Sequence, residues 1–188
     1  MDLIRQLDIF TLNFVEQIHT PFLTLFFKAV TFTGEWYFVL GVLVLISLFF
    51  IIKRMARFRL DISFFALWII TVGGLGTAFV LKEIFHRSRP VGGLIAETSS
   101  SFPSAHSVIS IAFYAFIFYL LALNAKSRFS KYLLISGVFI APILLGFSRL
   151  YLGVHYLSDV LAGYAIGDVW FLIGAYGIKF INRKRISA

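Results

Sequence analysis

The 188-residue chain contains no cysteine. That absence removes disulfide frameworks, Cys-ligated zinc, iron–sulfur clusters and thiol nucleophiles together. Acidic residues are scarce too, nine Asp and Glu against 17 Lys and Arg, and no carboxylate cluster of the kind a two-metal centre needs is present. No G-x-x-x-x-G-K-[ST] loop occurs, so P-loop nucleotide hydrolysis is unsupported. No low-complexity tract or internal repeat shows. Charge of either sign makes up only 14% of the chain, while 60% is hydrophobic, against about 45–50% in ordinary soluble domains. This composition indicates one integral membrane domain, in which 23 Phe and three Trp suit lipid contact and interfacial anchoring. The net charge of +8 falls in short clusters between apolar runs. Such clusters report topology and anionic lipid, not nucleic acid.

The patterning predicts an all-α bundle. Leu3, Leu7, Phe10, Phe14 and Ile18 recur at helical spacing among polar residues, the pattern of an amphipathic helix lying in the interface. Thr20-Pro21 reads as the start of a second short apolar helix. Residues 1–33 are therefore expected as interfacial helices and 34–181 as a transmembrane bundle. Five runs are long enough to cross a hydrocarbon core, for which about 20 helical residues suffice: Trp36 to Ile52, Ile62 to Leu81, Ser107 to Ala125, Tyr132 to Phe147 and Val160 to Ile178.

Lysine and arginine cluster after the first span (Lys53, Arg54, Arg57, Arg59), the third (Lys126, Arg128, Lys131) and the fifth (Lys179, Arg183, Lys184, Arg185). An alternating path puts all three clusters on one side, the cytoplasmic side by the positive-inside rule, and leaves the polar loops after spans two and four extracytoplasmic. Asp168, mid-way along the fifth run, reads as a protonated or hydrogen-bonded carboxylate facing the bundle interior, since no second membrane acid forms a relay with it.

Three polar stretches interrupt the apolar runs. Lys82 and Arg89-Pro90 leave the second span together, so two cations can converge on one anion. Phe102-Pro103-Ser104-Ala105-His106 opens the third span, where unpaired backbone N–H groups suit an anion, Ser104 adds a hydroxyl donor and His106 a titratable proton. Arg149, His155 and Asp159 follow the fourth span. If a helix has begun by His155, the i,i+4 spacing stacks Asp159 beside the imidazole. A carboxylate on one ring nitrogen leaves the other free as a nucleophile; a metal-ligand pair and a structural hydrogen bond are the competing readings. Three converging cations repel a divalent ion and disfavour the metal. Glu83, His86, Arg87 and Glu97 read as solvated loop residues, with head-group contact as the alternative.

Together the stretches resemble the type 2 phosphatidate phosphatase family, membrane relatives of the vanadium haloperoxidases. Its pattern K-x6-R-P, P-S-G-H and S-R-x5-H-x3-D is matched by Lys82 with Arg89-Pro90, by Pro103-Ser104-Ala105-His106, and by Ser148-Arg149 with His155 and Asp159. One departure is Ala105 at the family's Gly position, which strains the loop if that residue needs positive φ. The resemblance implies that His155 attacks phosphorus to form a phosphohistidine, Asp159 orients it and His106 protonates the leaving oxygen. Lys82, Arg89, Ser104, Ala105 and Arg149 then hold the phosphoryl oxygens, with no metal or cofactor.

The substrate expected on this basis is an amphiphile with its phosphate at the outer interface. A polyprenyl diphosphate carrier such as undecaprenyl diphosphate comes first; phosphatidylglycerophosphate and phosphatidate follow. Three other classes compete. A soluble haloperoxidase does not account for five spans, a lipid-phosphate transporter does not need both His106 and the His155–Asp159 pair, and a non-catalytic membrane protein makes the polar residues dispensable.

Overall fold

Three helices start on hydroxyl caps, the first of them where Thr20-Pro21 is expected to begin a helix. Thr20 caps the helix that begins at Pro21, its hydroxyl accepting from the Leu23 N–H at 3.2 Å. Ser104 caps the helix beginning at Ala105, and Ser127 caps the one beginning at Arg128. The computed structural model describes residues 3–52 and 58–186, and among these there is no strand. The helices are α1 (Leu3–Gln17), α2 (Pro21–Thr33), α3 (Trp36–Ile52), α4 (Phe58–Phe85), α5 (Ala105–Ile109), α6 (Phe116–Leu123), α7 (Arg128–Tyr151) and α8 (Leu157–Ile186). A π-helical segment, Ser110–Ala115, joins α5 to α6, so Ala105–Leu123 runs as one span.

Among the described residues, four helical stretches are long and apolar enough to cross a bilayer alone: Ser63–Phe85, Ala105–Leu123, Arg128–Tyr151 and Leu157–Arg183. The first of the five expected spans, α3, meets the same condition together with α2, from which it is bent by 52° across Gly34-Glu35. The fourth is longer than its apolar window, because α7 continues beyond Phe147 through Ser148 and Arg149. Lys53, Arg54 and Arg57, expected on the cytoplasmic side, lie outside the described residues.

The core gathers Val39 and Leu43 of α3, Leu67, Ile70 and Leu75 of α4, Ile109, Phe113 and Phe116 of the third span and Ile178 of α8. Close approach of α8 to α5 depends on missing side chains. A Cβ at Gly163 would stand 2.6 Å from Ser104 O and 2.7 Å from Ser107 Cβ, and one at Gly167 would stand 2.8 Å from Ile111 Cβ. With those glycines on the inner face, Asp168 turns outward. It does not face the bundle interior as expected but lies exposed on the side of α8 that carries Leu161, Leu172 and Tyr176.

The N-terminal helices are tied to the ends of α7 and α8. In α1, Leu3, Leu7, Phe10 and Phe14 are exposed while Asp8 and Val15 are buried. The link from α1 to α2 is held by Tyr151, whose carbonyl is 2.7 Å from His19 Nε2 and whose hydroxyl accepts from the Thr20 N–H at 3.0 Å.

Candidate active site

The eight candidate residues meet at the C-terminal ends of α4 and α7 and the N-terminal ends of α5 and α8. Lys82 is in the last turn of α4, buried, and donates to the Ser100 carbonyl. Arg89 reaches across the loop: its Nε donates to Ser99 O (2.8 Å), and its Nη1 donates to Val154 O (2.8 Å) and stands 3.2 Å from His155 Nε2. Arg149 is in the last turn of α7, fully buried, and donates to Thr31 Oγ1 at 2.6 Å and to Glu97.

Ser104, Ala105 and His106 form the opening of α5. The Ser104 hydroxyl accepts from the Ser107 N–H, and the Ser104 N–H donates to the Asp159 carbonyl at 3.1 Å. Helix geometry leaves the Ala105 and His106 N–H groups without intrahelical acceptors. Ala105 brings no backbone strain, because it is helical; among the described non-glycine residues only His86 has positive φ. The ring of His106 lies against Gly34, and its Nε2 is 3.5 Å from Glu35 Oε1.

His155 stands before α8, so the helix has not begun there, yet the pairing expected from i,i+4 spacing survives: His155 Nδ1 is 3.4 Å from Asp159 Oδ2. Oδ2 also accepts from the Tyr156 N–H at 2.9 Å. Burial first, then the charges of Arg149, Arg89 and Lys82, holds the His155 imidazole well below its ordinary pKa. The ring is therefore neutral near pH 7. With Nδ1 toward the carboxylate and Nε2 accepting from Arg89, the tautomer assigned by these contacts carries its proton on Nδ1 and its lone pair on Nε2.

Four polar atoms here are buried with no hydrogen-bond partner: His106 Nε2, Ser107 Oγ, Arg149 Nε and His155 Nδ1. They are four of the five such atoms among the described residues. Folded proteins leave few such groups, so their concentration at one spot marks a functional centre. The surrounding charge selects an anion.

Sequence reasoning missed the supporting carboxylates. Glu97, read as a solvated loop residue, links Arg149 and Arg89, its Oε2 standing 3.5 Å from Arg89 Nη2. Arg87, read the same way, binds Asp159 Oδ1 at 2.6 Å. Asp8 and Glu35 were not singled out at all. They carry no local motif; only their loneliness as acids in apolar surroundings could have drawn notice.

The PAP2 superfamily model matches residues 62–183, a stretch that contains all eight candidate residues. The chain belongs to the PAP2 superfamily. Phosphatidylglycerophosphatase B of Bacillus subtilis (strain 168) is 42% identical to this PAP2 chain over 97 residues, covering 50% of the chain and 47% of that protein. The matched stretch thus spans about half the length of this relative. The crystal structure of a transmembrane PAP2 type phosphatidylglycerolphosphate phosphatase from Bacillus subtilis superimposes with a TM-score of 0.82 at 26% identity, covering 98% of this chain and 88% of that one. The crystal structure of Aquifex aeolicus LpxE, at 21% identity and a TM-score of 0.60 over 90% of this chain and 95% of that one, shares the fold. The PAP2 assignment agrees with the motif reading, and the multi-pass membrane architecture agrees with the composition.

Proposed function

We propose that this chain is a metal-independent lipid phosphatase working through a phosphohistidine at His155. The observation that carries the reading is the convergence of Lys82, Arg89 and Arg149 on a neutral, buried His155 whose Nε2 lone pair faces Arg89. In the reaction Arg89 shifts its N–H from Nε2 to a phosphoryl oxygen, and Nε2 attacks phosphorus. The bond from phosphorus to the leaving oxygen breaks, and that oxygen takes a proton from His106. Asp159 faces the positive charge that develops on His155. Water then attacks the phosphohistidine and gives a proton to His106; the N–P bond breaks and inorganic phosphate leaves. Lys82, Arg89, Arg149, Ser104 and the N–H groups of Ala105 and His106 hold the three phosphoryl oxygens, where charge accumulates.

The likeness to phosphatidylglycerophosphatase B and to a phosphatidylglycerolphosphate phosphatase favours a phosphatidylglycerophosphate-class monoester as substrate. A polyprenyl diphosphate such as undecaprenyl diphosphate is the second reading, supported by the accumulation of cations around one phosphoryl site. The test is phosphate release by the purified chain in detergent from both substrates and phosphatidate, with and without EDTA. Release is expected to survive chelation and to be fastest from phosphatidylglycerophosphate. Release restored only by magnesium or zinc after EDTA would overturn the metal-free mechanism, and preference for the prenyl diphosphate would reverse the substrate order.

The proposed site faces away from the cytoplasm, in line with Lys126, Arg128 and Lys131 at the far end of the third span. Because the chain has no cysteine, a single introduced thiol reports each side cleanly. In intact cells Val91→Cys is expected to react with a membrane-impermeant thiol reagent and Lys126→Cys to be protected. The opposite pattern would turn the site to the cytoplasm.

A further inference from the structure

The residues the family model covers begin at 62, yet one buried carboxylate at the site's edge comes from α1. Asp8 is 3% exposed. Its Oδ1 accepts from the Ser158 N–H at 2.9 Å, and its Oδ2 accepts from the Ser158 hydroxyl at 2.7 Å and from Arg87 Nη2 at 2.8 Å. The other arm of the same guanidinium, Nη1, donates to Ser158 Oγ at 2.7 Å and to Asp159 Oδ1 at 2.6 Å, while its face lies 4.2 Å over the Tyr156 ring. These three hydrogen bonds of the guanidinium thus all go to α1 and to the first turn of α8.

The consequence lies in how Asp159 is oriented. Oδ1 is held by Arg87 and Oδ2 by the Tyr156 N–H, so the carboxylate plane is fixed before His155 is considered, with Oδ2 left 3.4 Å from His155 Nδ1. A guanidinium holding only Asp159 could swing on its flexible stem; one bridging two carboxylates in a planar fork cannot. On the reading that His155 is the nucleophile, we infer that Asp8 and Arg87 are positioning residues: α1 sets the catalytic carboxylate through an Asp8–Arg87–Asp159 bridge. Neither touches the reacting phosphorus. Their effect passes through Asp159 to the tautomer and angle of His155.

A positioning role separates from a merely structural one by what changes. Phosphoenzyme formation slows while substrate affinity stays, because the phosphate-holding cations are untouched. In the full chain in detergent, with phosphatidylglycerophosphate as substrate, the isosteric Asp8→Asn is expected to lower kcat and the rate of phosphohistidine formation about tenfold with KM within about twofold. Arg87→Ala is expected to lower kcat about 100-fold, with partial recovery in millimolar guanidinium, whereas Arg87→Lys, which keeps a charge but not the fork, stays low. Asp8→Asn added to Arg87→Ala should cost less than its effect in the wild-type background, because much of its action runs through the missing guanidinium.

Losses that multiply independently in the double variant would overturn the bridge, as would Asp8→Asn with wild-type kcat or with a raised KM alone. If Arg87→Ala does not fold, Asp8→Asn and Arg87→Lys carry the comparison by their KM against kcat split. A wild-type chain that releases no phosphate and forms no phosphoenzyme would sink the phosphatase reading itself, whereas an active wild type with an indifferent Asp8→Asn sinks only the bridge.

Discussion

His155→Ala is expected to lower turnover of every substrate by about 10⁴-fold or more and to leave no acid-labile phosphoenzyme, because it removes the neutral, buried imidazole whose Nε2 lone pair faces Arg89. On the proposed mechanism His106→Ala removes a proton donor, not the nucleophile, so its loss of about 10²–10⁴ on a lipid phosphate should shrink on an activated aryl phosphate whose leaving group needs little protonation. Asp159→Asn lies between them: the imidazole stays, but its orientation and the balance for its developing charge are gone. The pH dependence has a definite sign. Burial and the neighbouring cations lower the His155 pKa, so the imidazole remains unprotonated as pH falls through the ordinary histidine range. The acid limb of kcat/KM set by His155 therefore lies well below that range. Steady-state rates on both substrate types across pH, with trapping of the phosphoenzyme, check all three variants. Equal loss on both substrates for His106→Ala, or a phosphoenzyme trapped in His155→Ala, would overturn the assigned roles.

Arg149→Met is expected to cost both activity and stability. Arg149 is fully buried and pairs with Glu97, which is 22% exposed. Breaking a buried pair by removing one partner typically costs about 3–5 kcal/mol, and the partial exposure of Glu97 puts the expectation at the lower end. If Arg149 holds a phosphoryl oxygen as proposed, loss of that preorganised donor is expected to remove about 10²–10³ in kcat. Arg149→Lys keeps the charge but cannot reach Thr31 and Glu97 together, so intermediate values follow. Adding Glu97→Gln to Arg149→Met should recover part of the lost stability and none of the lost turnover, since it relieves the stranded carboxylate without replacing the cation. Thermal unfolding in detergent and phosphate release separate the two effects. Recovery of turnover in the double variant would show that Arg149 only neutralises Glu97.

What the sequence made legible is what chemistry confines to short spacings. Lys82 and Arg89 leave one helix end, Ser104 and His106 share one helical opening, and His155 and Asp159 are four residues apart, so local geometry alone brings each set together. The partners of these groups were hidden because they come from far along the chain: the contact of Asp8 with Ser158 spans 150 residues. Arg87 and Glu97 looked solvated since loop position alone says nothing of what folds over it. The end of α7 was set too early, because a hydropathy window stops at polar residues, whereas Ser148 and Arg149 are buried on that helix. Asp168 was turned the wrong way for a related reason. The cost of a membrane carboxylate argues for the interior, but the inner face of α8 is occupied by close helix contact.

That contact acts as a ruler. Along Gly163 and Gly167 the backbone of α8 packs directly on the Ser104 carbonyl and on the Cβ atoms of Ser107 and Ile111, so the spacing between the span that bears His106 and the one that begins beside His155 is set by atomic radii, not by rotamers. The two histidines therefore keep their separation while the lipid around them thickens, thins or melts. On the proposed function, room for a bulky head group comes from the loop between α4 and α5, whose residues contact Lys82, Arg89 and Arg149.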